Sequence, residues 1–239
     1  MLNYLNTNSS VISQDTFVEK FTDKNILVMG SGPSVNLVDW RNVGYDYITT
    51  TSFFYLNDEI LNMPDITHVT LTDLVDLDHT NLNEFLDRNL DCTIAFEPKP
   101  HPFYETTSFK NFSEKYKDRI VSYNTTYGKK EGVAGRLCYF VMQFSPRNLF
   151  YVGIDGRSKN KDKDPKNTFR TYLDGDPDDY PYQDFYESHQ YFANNVYQAS
   201  LQTGTQIHNL GEGFDFNCST TYSKQHFPLT EDIKRRIKL

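Results

Sequence analysis

The chain has 239 residues, enough for one large domain with its own core, and a formal net charge of −8. That charge argues against wholesale attraction to nucleic acid, and no run of about 18 apolar residues exists to span a membrane. The polar segment 1–20 lacks a signal-peptide core, so the cytoplasm is the expected location. Cys92, Cys138 and Cys218 show neither metal-ligand spacing nor an even-numbered framework. Hydrophobic residues are only 38% of the chain and aromatics 15%, with 17 Tyr and 18 Phe. Such rings suit pockets for sugars and bases, although a compositional habit gives the same excess.

In chain order, a polar lead-in with a helix near 15–21 precedes Asn25–Met29, a continuous apolar run of the kind that forms strands buried on both faces. Further strands are expected at Tyr47–Thr51, 68–71, 92–96 and 119–123. A helix over 135–144 leads into Asn148–Val152, the most convincing central strand, then a helix over 188–203 and a last strand at Gln206–Asn209. This alternation predicts a doubly wound α/β sheet, mostly parallel, in a single domain spanning 1–239. The stretch 157–183 breaks the rhythm, being dense in Lys, Asp, Gly, Pro and Tyr with almost no aliphatics. It follows the central strand's carboxyl end, where open α/β sheets place ligands, and reads as a lid or as a solvated insertion.

Directly after the first strand comes Gly30-Ser31-Gly32-Pro33-Ser34. The glycines permit a tight turn and close approach of a ligand, Pro33 suits a first helical turn, and Ser34 brings a hydroxyl beside N–H groups that favour a phosphate. The loop is neither the Gly-x-Gly-x-x-Gly dinucleotide fingerprint nor a Walker loop.

The segment "NILVMGSGPSVNLVDW" resembles the opening of the bacterial sialyltransferases of glycosyltransferase family 42, and of related motility-associated glycosyltransferases and archaeal pterin diphosphokinase-like proteins. "GVAGRLCYFVMQFSPRNLFYVGIDG" and "ESHQYFANNVYQASLQTGTQIHNLGEG" are similar to two further family blocks, in the same order, and the three cover roughly half the chain. The resemblance implies a Rossmann-like, GT-A-like fold with a lid, and a transferase that uses a nucleotide sugar, CMP-sugar first and UDP-sugar second. It implies nucleotide contacts from Gly30, Ser31, Gly32, Pro33 and Ser34, from Thr51 or Ser52 after the second strand, and from Thr72 or Asp73 after the third. The turn Gly132-Val133-Ala134-Gly135 stands where the family's base- and ribose-binding turn lies, with Val and Ala replacing hydroxyls.

His189 matches the family's general base at the head of the late helix, and an imidazole titrates where a sugar hydroxyl must lose its proton. Read without that match, a histidine at a helix start is a surface or capping residue. Asp155 closes a strand at its carboxyl end, a functional address, although a turn or capping role stays open. The family's pair of phosphate-binding lid tyrosines has no unambiguous equivalent. Arg157, Lys159 and Arg170 are candidates to stabilise the leaving phosphate, with Tyr172 beside them, or belong to a solvated charge cluster.

The resemblance implies no metal and no cofactor beyond the donor. Asp76/Asp78 and Asp176/Asp178 have the spacing of a divalent-ion site, while His79 and His101 lack partners at ligand spacing. The acceptor is a glycan or another hydroxyl-bearing molecule, a modified DNA base included, and homo-oligomerisation stays open. An ATP-dependent diphosphokinase, with Asp73, Asp76 or Asp155 on a metal, and a non-catalytic nucleotide or glycan sensor are the competing readings.

Overall fold

The computed structural model describes residues 14–32, 34–37, 39–96, 102–122, 132–154 and 199–210. In chain order these form α1 (Gln14–Phe21), β1 (Asn25–Met29), α2 (Ser34–Leu37), β2 (Tyr47–Thr51), α3 (Asp58–Leu61), β3 (Ile66–Leu71), α4 (Thr80–Arg88) and β4 (Thr93–Phe96). They continue with α5 (Thr107–Lys115), β5 (Ile120–Ser122), α6 (Gly132–Met142), β6 (Asn148–Val152) and β7 (Gln206–Asn209). Residues 199–203 are helical.

The strands form one 7-stranded sheet in the order β5-β4-β3-β2-β1-β6-β7. Every pairing is parallel. The architecture is therefore the expected Rossmann-like α/β sheet with helices on both faces. Alternate residues of one apolar run serve opposite layers, which is why the central strands read as continuous rather than alternating. Leu27, Met29, Phe150 and Val152 pack with Trp40, Phe54, Phe85 and Phe112 on one face. Ile26, Val28, Leu149 and Tyr151 pack with Phe17 and Phe21 of α1 and with Leu137, Phe140 and Phe144 at α6 on the other. The high aromatic content fills this second layer, where Phe17, Phe21, Phe140 and Phe144 form a cluster of tilted and edge-on rings. No helix among the described residues is long and apolar enough to cross a membrane.

Boundaries differ from the sequence expectation by one residue at β4 and at each end of β5, and by more at β3 and α6. β3 begins at Ile66, two residues earlier than expected, because buried Ile66 pairs in register with Ile48 of β2. The helix expected from 135 begins at Gly132, so Gly132-Val133-Ala134-Gly135 is the first turn of α6 rather than a turn before it. The physical reason is packing: Ala134 already rests on the second core layer and Gly135 is buried, which holds this stretch in helical register. At the other end Ser145, with a φ of 50°, stops the helix.

Candidate functional site

The chain runs from β1 outward to β2 on one side and from β6 to β7 on the other, so the strand order reverses between β1 and β6. Ligands of open α/β sheets bind outside the carboxyl ends at such a point. Here the loops after β1 and β6 are locked together. Gly30 N–H donates to Val152 O (2.8 Å), Gly32 N–H to Gly153 O (2.8 Å), and Gly153 N–H to Ser34 Oγ (2.8 Å). A Cβ on Gly30 would stand 2.3 Å from Gly153 O, and one on Gly153 would stand 2.5 Å from Gly30 O. Gly153 also has a φ of +71°, in the left-handed region that favours glycine. The glycines of the first and second family-like blocks are thus two halves of one backbone contact, a role the sequence did not reveal.

This contact narrows what the loop can offer a ligand. The amide groups of Gly30 and Gly32 already serve β6, and Ser34 is fully buried. Val35 N–H bonds back to Gly32 O, and Trp40 Nε1–H donates to Val35 O (2.8 Å), which closes the short α2 onto the core. The partly exposed Ser31 and Gly32 are the loop's outward surface.

Beside the loop, β2 and β3 end in a pair of hydroxyls. Ser52 Oγ lies 3.2 Å from Thr72 Oγ1, and Ser52 N–H donates to Thr70 O (2.9 Å). Ser52 holds a φ of 30°, a conformation serine adopts only when its surroundings impose it. Thr72 Oγ1 in turn accepts from Leu74 N–H (3.4 Å). Thr51 and Ser52 are buried, whereas Thr72 and Asp73 are half-exposed, so the strand ends turn Thr72 and Asp73 to the rim with Ser52 beneath them. α6 packs across β1, β2 and β6, and its first turn, Gly132 to Gly135, stands at the same end of the sheet because it precedes the amino end of β6.

The solved structures supply the comparison. The chain is similar to the monofunctional α-2,3-sialyltransferase Cst-I of Campylobacter jejuni, at 17% identity and a TM-score of 0.57, over 95% of this chain and 84% of that one. It is also similar to an α-2,3-sialyltransferase of Campylobacter jejuni in apo form, at 17% identity and a TM-score of 0.53, with the same coverages. The fold is sialyltransferase-like. No protein-family model and no curated protein matches the chain by sequence.

Three histidines fall within the described residues, and their surroundings set what each can do. Thr93 Oγ1 donates to Thr67 O (3.2 Å) and therefore accepts from His68 Nδ1–H (2.7 Å). His68 Nε2 then takes the proton of Thr70 Oγ1 (3.3 Å), so the ring is a neutral Nδ1–H tautomer. Burial holds its pKa down at about 3. His208 stacks on Phe150, donates Nε2–H to Asn148 Oδ1 (2.9 Å), and is held at about 4 by burial. Both are core groups. His79 caps α4, its Nδ1 accepting from Asn81 N–H (3.2 Å).

The carboxylates of Asp76 and Asp78 are engaged: Asp76 Oδ1 accepts from Asp78 N–H (3.0 Å), and Asp78 Oδ2 pairs with the Ser108 hydroxyl of α5. Among the described residues no group of three or more His, Cys, Asp or Glu is placed to hold a metal. Pro33, Asp155, Arg157, Lys159, Arg170, Tyr172 and His189 lie outside the described residues, as do the 157–183 segment, His101 and the Asp176/Asp178 pair.

Proposed function

We propose that the chain is a glycosyltransferase that moves a sugar from a nucleotide-sugar donor to an acceptor hydroxyl, with a CMP-sugar as first choice and a UDP-sugar second. The observation that carries this reading is the likeness to two α-2,3-sialyltransferase structures over 95% of the chain. The glycine loop and the Ser52–Thr72 hydroxyl pair stand at the carboxyl ends where that architecture takes ligands. Ser31, Gly32, Ser52, Thr72 and Asp73 are the proposed donor contacts, together with the backbone of Gly132-Val133-Ala134-Gly135. Opening amide groups of an 11-residue helix favour negative charge nearby.

In the proposed reaction the acceptor oxygen forms a bond to the anomeric carbon, and the bond from that carbon to the phosphate oxygen breaks. The nucleotide leaves with the bonding electron pair, and the acceptor proton passes to His189. Arg157, Lys159, Arg170 and Tyr172 are proposed to stabilise the leaving phosphate, with Asp155 as a second polar group at the site. The reading requires no metal. Thermal-shift screening against CMP, UDP, GDP, ATP and their sugar conjugates tests the donor, because a ligand at 100 times its Kd stabilises by about 2.7 kcal/mol. His189→Ala is expected to abolish transfer while nucleotide binding persists, and unchanged turnover would remove the mechanism. Strict Mg²⁺ dependence with ATP turnover would replace it with the diphosphokinase reading.

A further inference from the structure

Of the two serines in Gly30-Ser31-Gly32-Pro33-Ser34, Ser31 is half-exposed and Ser34 is fully buried. A buried hydroxyl is retained where it is hydrogen-bonded, and here Ser34 Oγ accepts from Gly153 N–H (2.8 Å). That amide belongs to a buried residue just past the β1–β6 ladder, whose last pair is Met29 with Val152. The carbonyl of Gly153 is held by the same loop, accepting from Gly32 N–H (2.8 Å). One loop therefore grips Gly153 on both of its peptide groups, by a side chain on one and by backbone on the other.

The anchor on the Ser34 side is itself tied down. Val35 N–H donates to Gly32 O (3.2 Å), and the indole of buried Trp40 donates to Val35 O (2.8 Å). Gly32 thus has both its N–H and its C=O engaged, while Gly30 N–H bonds to Val152 O (2.8 Å). Ser31 lies between these two fixed glycines, so its direction follows from theirs. With the Ser34 hydroxyl removed, the buried Gly153 N–H would lose its acceptor, and a glycine is the residue freest to turn away and release Gly32.

We propose that Ser34 is a positioning residue: acting through Gly153, it holds Gly32 in place and thereby aims Ser31 at the donor, without touching the donor itself. The inference rests on the transferase reading, in which Ser31 and Gly32 are donor contacts. It gives a new role to a residue that the sequence resemblance assigns to the nucleotide. Full burial leaves Ser34 no surface to offer a phosphate, and its oxygen faces the Gly153 amide. A binding group works only when held to within about 0.5 Å, and in a glycine loop that precision comes from bonds of this kind.

The test compares wild type with Ser34→Ala and with Ser34→Thr, which keeps the hydroxyl. Amide exchange at Gly32 and Gly153 is followed by NMR, and affinity for CMP and UDP by calorimetry. In wild type both amides should be protected, and the Gly153 amide should stay protected when nucleotide binds. Ser34→Ala should lose both protections, melt several degrees lower and bind nucleotide about five- to tenfold more weakly. Ser34→Thr should bind within about twofold of wild type, even where its added methyl lowers the melting temperature. If Ser34→Ala melts lower but binds as wild type, the serine is merely structural and the inference falls alone. Weaker binding with both amides still protected, or a Ser34→Thr that binds as weakly as Ser34→Ala, would equally overturn it. So would a wild-type Gly153 amide that loses protection on nucleotide binding, a result that stands even where Ser34→Ala fails to fold. A wild-type chain that binds neither CMP nor UDP overturns the donor reading and the inference with it.

Discussion

His68 and His208 make a prediction about acid that follows from burial. Both rings are neutral in the folded protein, with pKa values held at about 3 and about 4 against an ordinary 6.5. The unfolded chain binds a proton at each as pH falls through 6.5, and the folded chain does not. Their contribution to stability is thus present in full above pH 6.5 and is lost on the way down to about 4 for His208 and about 3 for His68. Each ring removes about 1.4 kcal/mol per pH unit inside its window, so at pH 5 the two together remove about 4 kcal/mol. That is a large fraction of the roughly 5–15 kcal/mol that holds a domain folded.

Among the described groups, the carboxylates of Asp23 and Asp87, held below their ordinary 3.8 first by the Arg147 and Lys115 hydrogen bonds, exert their effect at lower pH and leave the window between 6.5 and 4.5 to the two buried histidines. The assay is urea unfolding at half-unit steps across that window. Wild type should show a slope near 2.7 kcal/mol per pH unit, and His68→Asn about half of it. The substitution also loses ring contacts with Phe17 and Phe140, which lowers stability at every pH without changing the slope. His208→Asn should halve the slope in the same way. A wild-type slope that neither variant reduces would refute the argument.

Gly153→Ala should cost about 3 kcal/mol or more, since it combines a left-handed φ of +71° with a Cβ 2.5 Å from Gly30 O and 2.7 Å from Val35 Cγ2. A loss below about 1 kcal/mol by urea unfolding would mean that the two loops part freely. Ser52→Gly relieves the φ of 30° and loses the hydroxyl contact to Thr72, so the two terms should leave stability within about 1 kcal/mol of wild type. CMP affinity, measured by calorimetry, should nevertheless fall several-fold, and an unchanged Kd would remove Ser52 from the donor site.

The parallel sheet was legible chiefly because the runs of β1 and β6 are apolar on both faces. Asn25–Met29, Tyr47–Thr51, Asn148–Val152 and Gln206–Asn209 occupy the expected bounds. β3 was read two residues short because Ile66 and Thr67 directly follow Pro64-Asp65, a turn signal; within the strand His68 and Thr70 are made buriable by each other and by Thr93 on the next strand. The segments TNLNEFLDR and TSFKNFSEK were not recognised as α4 and α5. Each carries a thin apolar stripe, and its helix is fixed by an N-cap side chain and by packing of Phe85 or Phe112 on the core.

The site shows the same division between local and distant causes. That a tight glycine turn follows β1 could be read from Gly30-Ser31-Gly32, because small residues after a buried strand are a local signal. What those glycines touch could not, since Gly153 reaches Gly30 only once β6 pairs with β1. The consequence is functional. With Gly30 N–H, Gly32 N–H and the Ser34 hydroxyl turned toward β6, the crevice at the strand reversal is closed by backbone at its floor. On the proposed transferase reading, a donor over β1 leans toward β2 and β3, where Ser52 and Thr72 meet. Gly30 and Gly153 thus form a backbone seam between the ends of β1 and β6.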